Sequence, residues 1–147
     1  MSSWSRKRRA AHRQAEDTVE HLLNMYVRRN DLSRSAFISC VDMENKFLDD
    51  FPYKDTEDQI TVWKEISNDL SSSIPMDRLL CGDVGFGKTE IAMRAAFRVV
   101  LSGLRVVVLA PTTILANQLY ASFRDRLGIH AINVELVSRF RSLKKIK

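Results

Sequence analysis

A stripe of apolar residues at helical spacing runs through residues 9–29, and charged residues occupy the other side of the same helical pattern. The apolar members of the stripe are Ala15, Val19, Leu22 and Tyr26. Residues 30–50 are mixed in character and rich in acids, with one short helix expected around residues 43–48. The pattern therefore predicts a helical linker or extension over residues 1–50.

A second helical pattern begins at Thr56. Gln59 follows three residues later, which is the spacing of a capping box, where each side chain binds the backbone amide of the other residue. The apolar face of this predicted helix carries Ile60, Trp63, Ile66 and Leu70. We therefore expect a helix that starts at Thr56 and ends before the serine-rich loop at 71–75.

Beyond residue 77, short apolar runs alternate with helical patterns. The runs predict strands at 78–81, 105–110 and 131–137, and the helical patterns predict helices at 90–101 and 113–128. The second run is apolar without interruption from Val106 to Leu109, which is typical of a strand buried on both faces of a parallel sheet. A β-α-β-α-β order implies right-handed crossovers. The predicted fold class is α/β, a parallel sheet with flanking helices over residues 51–147.

One run between the first predicted strand and the next helix has the spacing of a phosphate-binding loop: glycine, four residues, then Gly-Lys-Thr. Its residues are Gly82, Asp83, Val84, Gly85, Phe86, Gly87, Lys88 and Thr89. Glycines allow N–H groups to curl around an anion, and the following helix adds a partial positive charge. We expect Lys88 to bind the β- and γ-phosphates and Thr89 to ligate Mg²⁺. The alternative is a glycine-rich turn that binds no ligand, and the predicted strand-loop-helix order disfavours it.

Composition and charge add further constraints. The 147 residues have a net charge of +5 and are 45% hydrophobic, as in soluble globular chains, and no apolar run is long enough to cross a membrane. Cys40 and Cys81 show no metal or redox spacing, so we expect a cytoplasmic protein in which Cys81 is a buried apolar residue. The basic segments 1–13 and 139–147 contain no acid, and they either contact phosphate backbones or are solvated chain ends.

Several segments together resemble the first motor lobe of the bacterial transcription-repair coupling factors, which are superfamily 2 translocases related to the branch-migrating RecG helicase. The segments are 51–53, 56–59, 75–90, 110–116 and 138–140. The resemblance covers about residues 50–143 and implies a partial RecA-like P-loop NTPase lobe preceded by a helical linker. It further implies ATP and Mg²⁺ as cofactors, double-stranded DNA as a partner, and RNA polymerase and excision-repair proteins as partners of the intact protein.

The resemblance also implies roles for individual residues outside the loop. Gln59 corresponds to a glutamine that recognises adenine, with Phe51 as the nearby aromatic residue, although capping alone also explains Gln59. Pro111, Thr112 and Thr113 correspond to a motif that contacts the nucleic acid backbone, although a threonine there also suits a helix N-cap. Arg139 lies near a further DNA-contacting segment, or is an ordinary surface charge.

Hydrolysis by such a motor requires an acidic pair at the end of an apolar strand, to hold Mg²⁺ and orient the attacking water. After the loop the chain offers only Glu90, Asp125 and Glu135, none of which forms such a pair. We therefore expect the ATP-binding part of a DNA translocase that lacks the second lobe and does not turn over ATP alone. The alternatives are a fragment of a RecG-like helicase and a non-catalytic module that binds nucleotide or DNA.

Overall fold

The computed structural model describes residues 3–138, and the secondary structure of this range is α-helical. The helices are α1 (Ser3–Asn30), α2 (Val41–Asp49), α3 (Glu57–Leu70), α4 (Lys88–Leu101) and α5 (Thr113–Gly128). The helices predicted from residues 56, 90 and 113 are confirmed, and the short helix expected near 43–48 is confirmed as α2. The helix predicted over 9–29 is also confirmed, as part of the longer α1.

The described residues form two compact units, one made of 3–35 with 73–75 and the other of 36–72 with 76–138. The first unit consists mainly of α1. The apolar stripe of this helix is exposed, with Val19, Leu22 and Tyr26 each about half accessible to solvent. Within its own unit, α1 therefore has a regular helical structure without a buried apolar face.

Helix α4 is the centre of the second unit and packs against α2, α3 and α5. One apolar core forms around the stacked rings of Phe47 and Phe97, whose centroids are 4.3 Å apart and which are each 1% exposed. The other buried members of this core are Met93, Ala96, Phe123 and Leu127. Because α2 supplies Phe47, the helix that the sequence assigns to the linker is packed into the core of the second unit.

A second apolar core lies between α3 and α4. Its buried members are Ile66, Leu70 and Ile91, and Val62, Trp63 and Leu80 pack against them. Helix α3 begins with the capping box predicted from the sequence: Gln59 N donates to Thr56 Oγ1 at 3.2 Å, and Thr56 N donates to Gln59 Oε1 at 3.0 Å. Together, this core and the capping box hold α3 beside the segment that precedes α4.

The predicted parallel sheet, and with it the RecA-like α/β lobe, is wrong for this structure. Between residues 3 and 138 no strand is present, and no backbone hydrogen bond joins any two of the segments 78–81, 105–110 and 131–137. Leu79 and Leu109, expected in buried strands, are 88% and 89% exposed. Cys81, expected to be buried, is exposed as well. Apolar runs favour strands only where neighbouring strands supply a ladder and burial on both faces, and these segments have neither.

Candidate nucleotide-binding site

The glycine loop leads directly into α4, whose first residue is Lys88. Gly85 and Gly87 have φ angles of 85° and 73°, in the left-handed region that glycine adopts readily. Phe86 N donates to Asp83 O at 3.3 Å and closes a turn, and Glu90 N donates to Gly87 O at 3.0 Å as the helix begins. The loop therefore requires glycine at positions 85 and 87 for its backbone shape.

The Lys88 side chain folds back over this loop. Its ammonium Nζ donates to Gly82 O at 2.7 Å and to Asp83 O at 2.6 Å. An ammonium has three N–H donors, so these two bonds leave one donor for an incoming anion. A full positive charge is thus held at the loop by backbone carbonyls, and no acidic side chain neutralises it in an ion pair among the described residues.

A cavity of about 380 Å³ lies beside Lys88. Helix α3 contributes Gln59 and Val62 to its wall, and the loop contributes Gly82, Phe86 and Lys88. Small-molecule sites have volumes of roughly 300–1,000 Å³ and combine apolar walls with a few polar groups. The cavity therefore has the size and chemistry of a ligand site. Thr89 is half-buried in the first turn of α4 and does not line it.

Gln59 connects the two walls of this cavity. Its Oε1 accepts from Thr56 N within the capping box, and its Nε2 donates to Phe86 O in the loop at 3.0 Å. The amide has two acceptor lone pairs and two N–H donors, so each end keeps one position for a ligand. A Cβ atom at Gly87 would overlap with Gln59 Nε2. Gln59 thus acts as a helix cap, as predicted, and also lies against the loop.

Phe51 lies apart from the cavity wall. Its ring packs edge-on against Tyr53, with 5.4 Å between the centroids, and the guanidinium carbon of Arg94 lies 5.2 Å from its centroid. The distance to Arg94 is typical of a cation–π contact. The structure therefore brings Phe51 together with buried charges on α4, whereas Gln59 lies with the loop.

The segment Pro111-Thr112-Thr113 forms the start of α5. Thr112 is the N-cap residue, and its Oγ1 accepts from Leu115 N at 3.2 Å, so the capping prediction is confirmed. Pro111 and Thr112 are exposed and Thr113 is half-buried. An exposed helix N-terminus has the N–H groups and partial positive charge that suit a phosphate. Arg139 lies outside the described residues.

A buried ionic network behind the loop was missed in the sequence. Arg94 donates to both carboxylate oxygens of Asp55 at 2.8 Å and to Glu90 at 3.1 Å, and Arg126 donates to Glu90 at 3.0 Å. Burial lowers the pKa of Arg94, but its bonds to Asp55 and Glu90 outweigh this and raise the pKa above its usual value. Only the Glu90–Arg94 pair had a local signal, its i, i+4 spacing on one helix.

A family comparison decides the class of protein. The family model for the DEAD/DEAH box helicases matches residues 56–146, a range that includes α3, the glycine loop, α4 and α5. The chain belongs to the DEAD/DEAH box helicase family. The matched range thus holds the cavity and the helix N-terminus at Thr112.

Several curated proteins are similar to this helicase-family chain over nearly its whole length. The chain is 42% identical over 144 residues to the transcription-repair-coupling factor of Bacillus subtilis and 43% identical over 143 residues to that of Escherichia coli. These two matches cover 98% and 97% of the chain. The factor of Borreliella burgdorferi is 41% identical over 152 residues and covers 99% of the chain. The sequence-based resemblance to this family is therefore confirmed. The chain spans only 12–14% of the length of these relatives.

Among residues 3–138, no helix is both long enough and apolar enough to cross a membrane. Residues 3–138 also contain no group of three or more His, Cys, Asp or Glu side chains arranged to hold a metal ion.

Proposed function

We propose that this chain provides the ATP-binding loop of an ATP-dependent double-stranded DNA translocase in transcription-coupled DNA repair. The observation that carries the proposal is the Lys88 ammonium, held over a glycine loop at the edge of a cavity that Gln59 also lines. Membership of the helicase family and the names of the relatives support a motor that uses ATP. The intact protein would displace stalled RNA polymerase and recruit excision-repair proteins.

The residues of the loop suit a triphosphate. The glycine backbone of residues 82–87 would surround the phosphate oxygens, and Lys88 would donate to the β- and γ-phosphates with the N–H that the loop carbonyls leave over. Thr89, the second residue of α4, would supply the hydroxyl ligand to Mg²⁺. Bound Mg²⁺ would neutralise phosphate charge.

Gln59 is the proposed contact to the adenine base. Its amide keeps one donor and one acceptor beyond the bonds to Thr56 and Phe86, which is the pair that adenine requires at N7 and N6. Phe51, whose ring lies against Arg94 and outside the cavity lining, is proposed only as an aromatic neighbour of this base site.

DNA contacts are proposed at the exposed start of α5. Pro111, Thr112 and Thr113 would bind backbone phosphates through N–H and hydroxyl groups, and Arg139 would add a charge. Such contacts position a duplex without reading its sequence. Affinity for duplex DNA should therefore be independent of base sequence and should fall steeply as salt is added.

Titration of the 147-residue chain with a fluorescent ATP analogue tests the nucleotide proposal. We expect saturable binding that Mg²⁺ strengthens, a loss of at least tenfold in affinity in Lys88→Ala, and a loss of the Mg²⁺ effect in Thr89→Ala. Lys64→Ala is the matched control, because it removes the same charge from an exposed position of α3. Equal affinity in Lys88→Ala and Lys64→Ala would contradict the proposal.

ATP turnover is a separate measurement on the same samples. After the glycine loop the chain has no acidic pair at the end of an apolar segment that would orient an attacking water, so we propose binding without hydrolysis. A steady-state ATPase rate that disappears in Lys88→Ala would overturn this part of the proposal and leave the binding part intact.

A further inference from the structure

Arg94 and Asp55 form a bidentate ion pair between α4 and the segment that precedes α3. Both terminal nitrogens of Arg94 donate to the Asp55 carboxylate at 2.8 Å, and its Nε donates to Glu90 at 3.1 Å. The Arg94 side chain is 2% exposed and that of Asp55 is 25% exposed. A bidentate arginine–carboxylate pair fixes orientation as well as distance, because two parallel bonds allow little rotation.

This pair lies next to the residues that hold Gln59. Asp55 directly precedes Thr56, whose backbone amide donates to Gln59 Oε1. At the other end of the same side chain, Gln59 Nε2 donates to Phe86 O in the loop. Residues 55–59, which contain the start of α3, are therefore attached to the glycine loop and α4 at two points, Asp55 to Arg94 and Gln59 to Phe86.

The two attachments differ in strength. The Asp55–Arg94 contact is charged, bidentate and buried on the Arg94 side, whereas the Gln59–Phe86 contact is one neutral hydrogen bond. Charge-assisted bonds are about twice as strong as neutral ones. A ligand that approaches the Gln59 amide will therefore disturb the Phe86 contact more easily than the Asp55 contact.

We propose that Asp55 and Arg94 are positioning residues that fix the orientation of the Gln59 amide and thereby set the preference of the cavity for adenine over guanine. The inference rests on the proposed function, since it requires a purine base beside Gln59. Adenine offers a donor at N6 and an acceptor at N7, whereas guanine offers acceptors at both O6 and N7. A correctly held amide satisfies adenine and leaves one mismatched contact to guanine.

Loss of the Asp55–Arg94 pair should change the binding of the purine base and not the binding of the phosphates. Lys88 binds Gly82 O and Asp83 O, and neither bond involves Asp55, Arg94 or Gln59. Loss of the Asp55 carboxylate should therefore loosen the capping box and the Gln59 amide while the loop keeps its affinity for phosphate. This separation distinguishes a positioning role from a general contribution to folding.

The experiment is a double-mutant cycle on the 147-residue chain, with the dissociation constants of ATP, GTP and inorganic tripolyphosphate as readouts. We expect Asp55→Ala and Gln59→Ala each to reduce the ATP-over-GTP ratio by about tenfold, the lower range of what one bidentate side-chain contact to a base provides. Asp55→Ala in the Gln59→Ala background should cause no further change. The affinity for tripolyphosphate should remain that of the wild type. Asp49→Ala, which removes an exposed acid from α2, is the matched control.

Hydrogen exchange supplies a readout that requires no nucleotide. The backbone N–H of Gln59, which donates to Thr56 Oγ1, should exchange faster in Asp55→Ala than in Asp49→Ala. Asp55→Asn, which keeps the side-chain volume and one acceptor, replaces Asp55→Ala if that variant does not fold, and a smaller change of the same sign is expected.

The outcomes separate the two proposals. Absence of saturable ATP binding in the wild type overturns both. If Asp55→Ala leaves the ATP-over-GTP ratio unchanged, only the positioning role is overturned. The same holds if Asp55→Ala lowers this ratio equally in the wild-type and Gln59→Ala backgrounds. A parallel loss of tripolyphosphate and ATP affinity in Asp55→Ala also overturns it, since the pair would then support the whole fold.

Discussion

The guanidinium of Arg98 binds the carboxylate of Glu44, which lies 54 residues earlier in the chain, and both side chains are buried. Arg98 Nε donates to Glu44 Oε1 at 3.0 Å, and the same oxygen accepts from Ser39 Oγ and from Cys40 N. The carboxylate therefore holds α4 and the start of α2 together. Arg98 Nη2 also donates to Glu44 Oε2, and Arg98 Nη1 donates to Ser67 on α3, so one buried cation connects three helices.

Glu44→Ala should lower the free energy of unfolding by about 3–5 kcal/mol, because it leaves the Arg98 charge buried without its partner. Urea unfolding followed by circular dichroism measures this value. Asp49→Ala removes an exposed acid from the same helix and should change the unfolding free energy by no more than about 0.5 kcal/mol. A small, equal effect for both variants would show that the Arg98–Glu44 contact is energetically unimportant.

Gly87→Ala should be more destabilising than Gly85→Ala. Both glycines have a positive φ, and alanine in the left-handed region costs about 1–2 kcal/mol at either site. At Gly87 the added Cβ also overlaps with Gln59 Nε2, whereas at Gly85 it would meet open space. The same urea experiment measures both variants.

A matched background isolates the steric part of the Gly87 effect. In Gln59→Ala the atom that the new Cβ meets is removed, so the difference between Gly87→Ala and Gly85→Ala should shrink. Gly128→Ala serves as a reference without strain and should be neutral or slightly stabilising, since Gly128 lies in α5, has no positive φ and has nothing within 4 Å of an added Cβ. A Gly87 penalty that persists in the Gln59→Ala background would show that Gln59 does not press on the loop.

Thr112→Ala should cost about 1 kcal/mol of stability, because it removes the N-cap bond to Leu115 N and leaves that amide of α5 without its side-chain acceptor. Thr112→Ser keeps the hydroxyl and should stay close to the wild type. Thermal unfolding of the three chains checks this order. Equal unfolding temperatures for the alanine and serine variants would indicate that water replaces the cap at no cost.

The features predicted correctly from the sequence depend on residues that are close together in the chain. The Thr56–Gln59 capping box spans three positions, and the Thr112 cap spans three as well, so backbone geometry alone brings the partners together. The glycine positions of the loop followed from spacing in the same way, and Gly85 and Gly87 do have positive φ angles.

The incorrect and missed features depend on partners far away in the chain. Val107 and Leu109 have the composition of a buried strand, but a strand forms only when another segment supplies its ladder, and the sequence of the strand does not specify that partner. Asp55–Arg94 and Glu44–Arg98 join residues 39 and 54 positions apart, and charged residues at such separations are ordinarily expected on the surface. Only helix packing brings these charges together.

In the proposed function, the backbone at residues 82–89 surrounds a triphosphate. The most direct measurement is a titration of the isotope-labelled chain with ATP·Mg²⁺, followed through the backbone amide signals in nuclear magnetic resonance spectra. We expect saturable shifts centred on Gly82–Thr89 and Gln59, which disappear in Lys88→Ala and persist in Lys64→Ala. Shifts confined to other parts of the chain, or unchanged amide signals at residues 82–89 under saturating ATP·Mg²⁺, would contradict the proposed function.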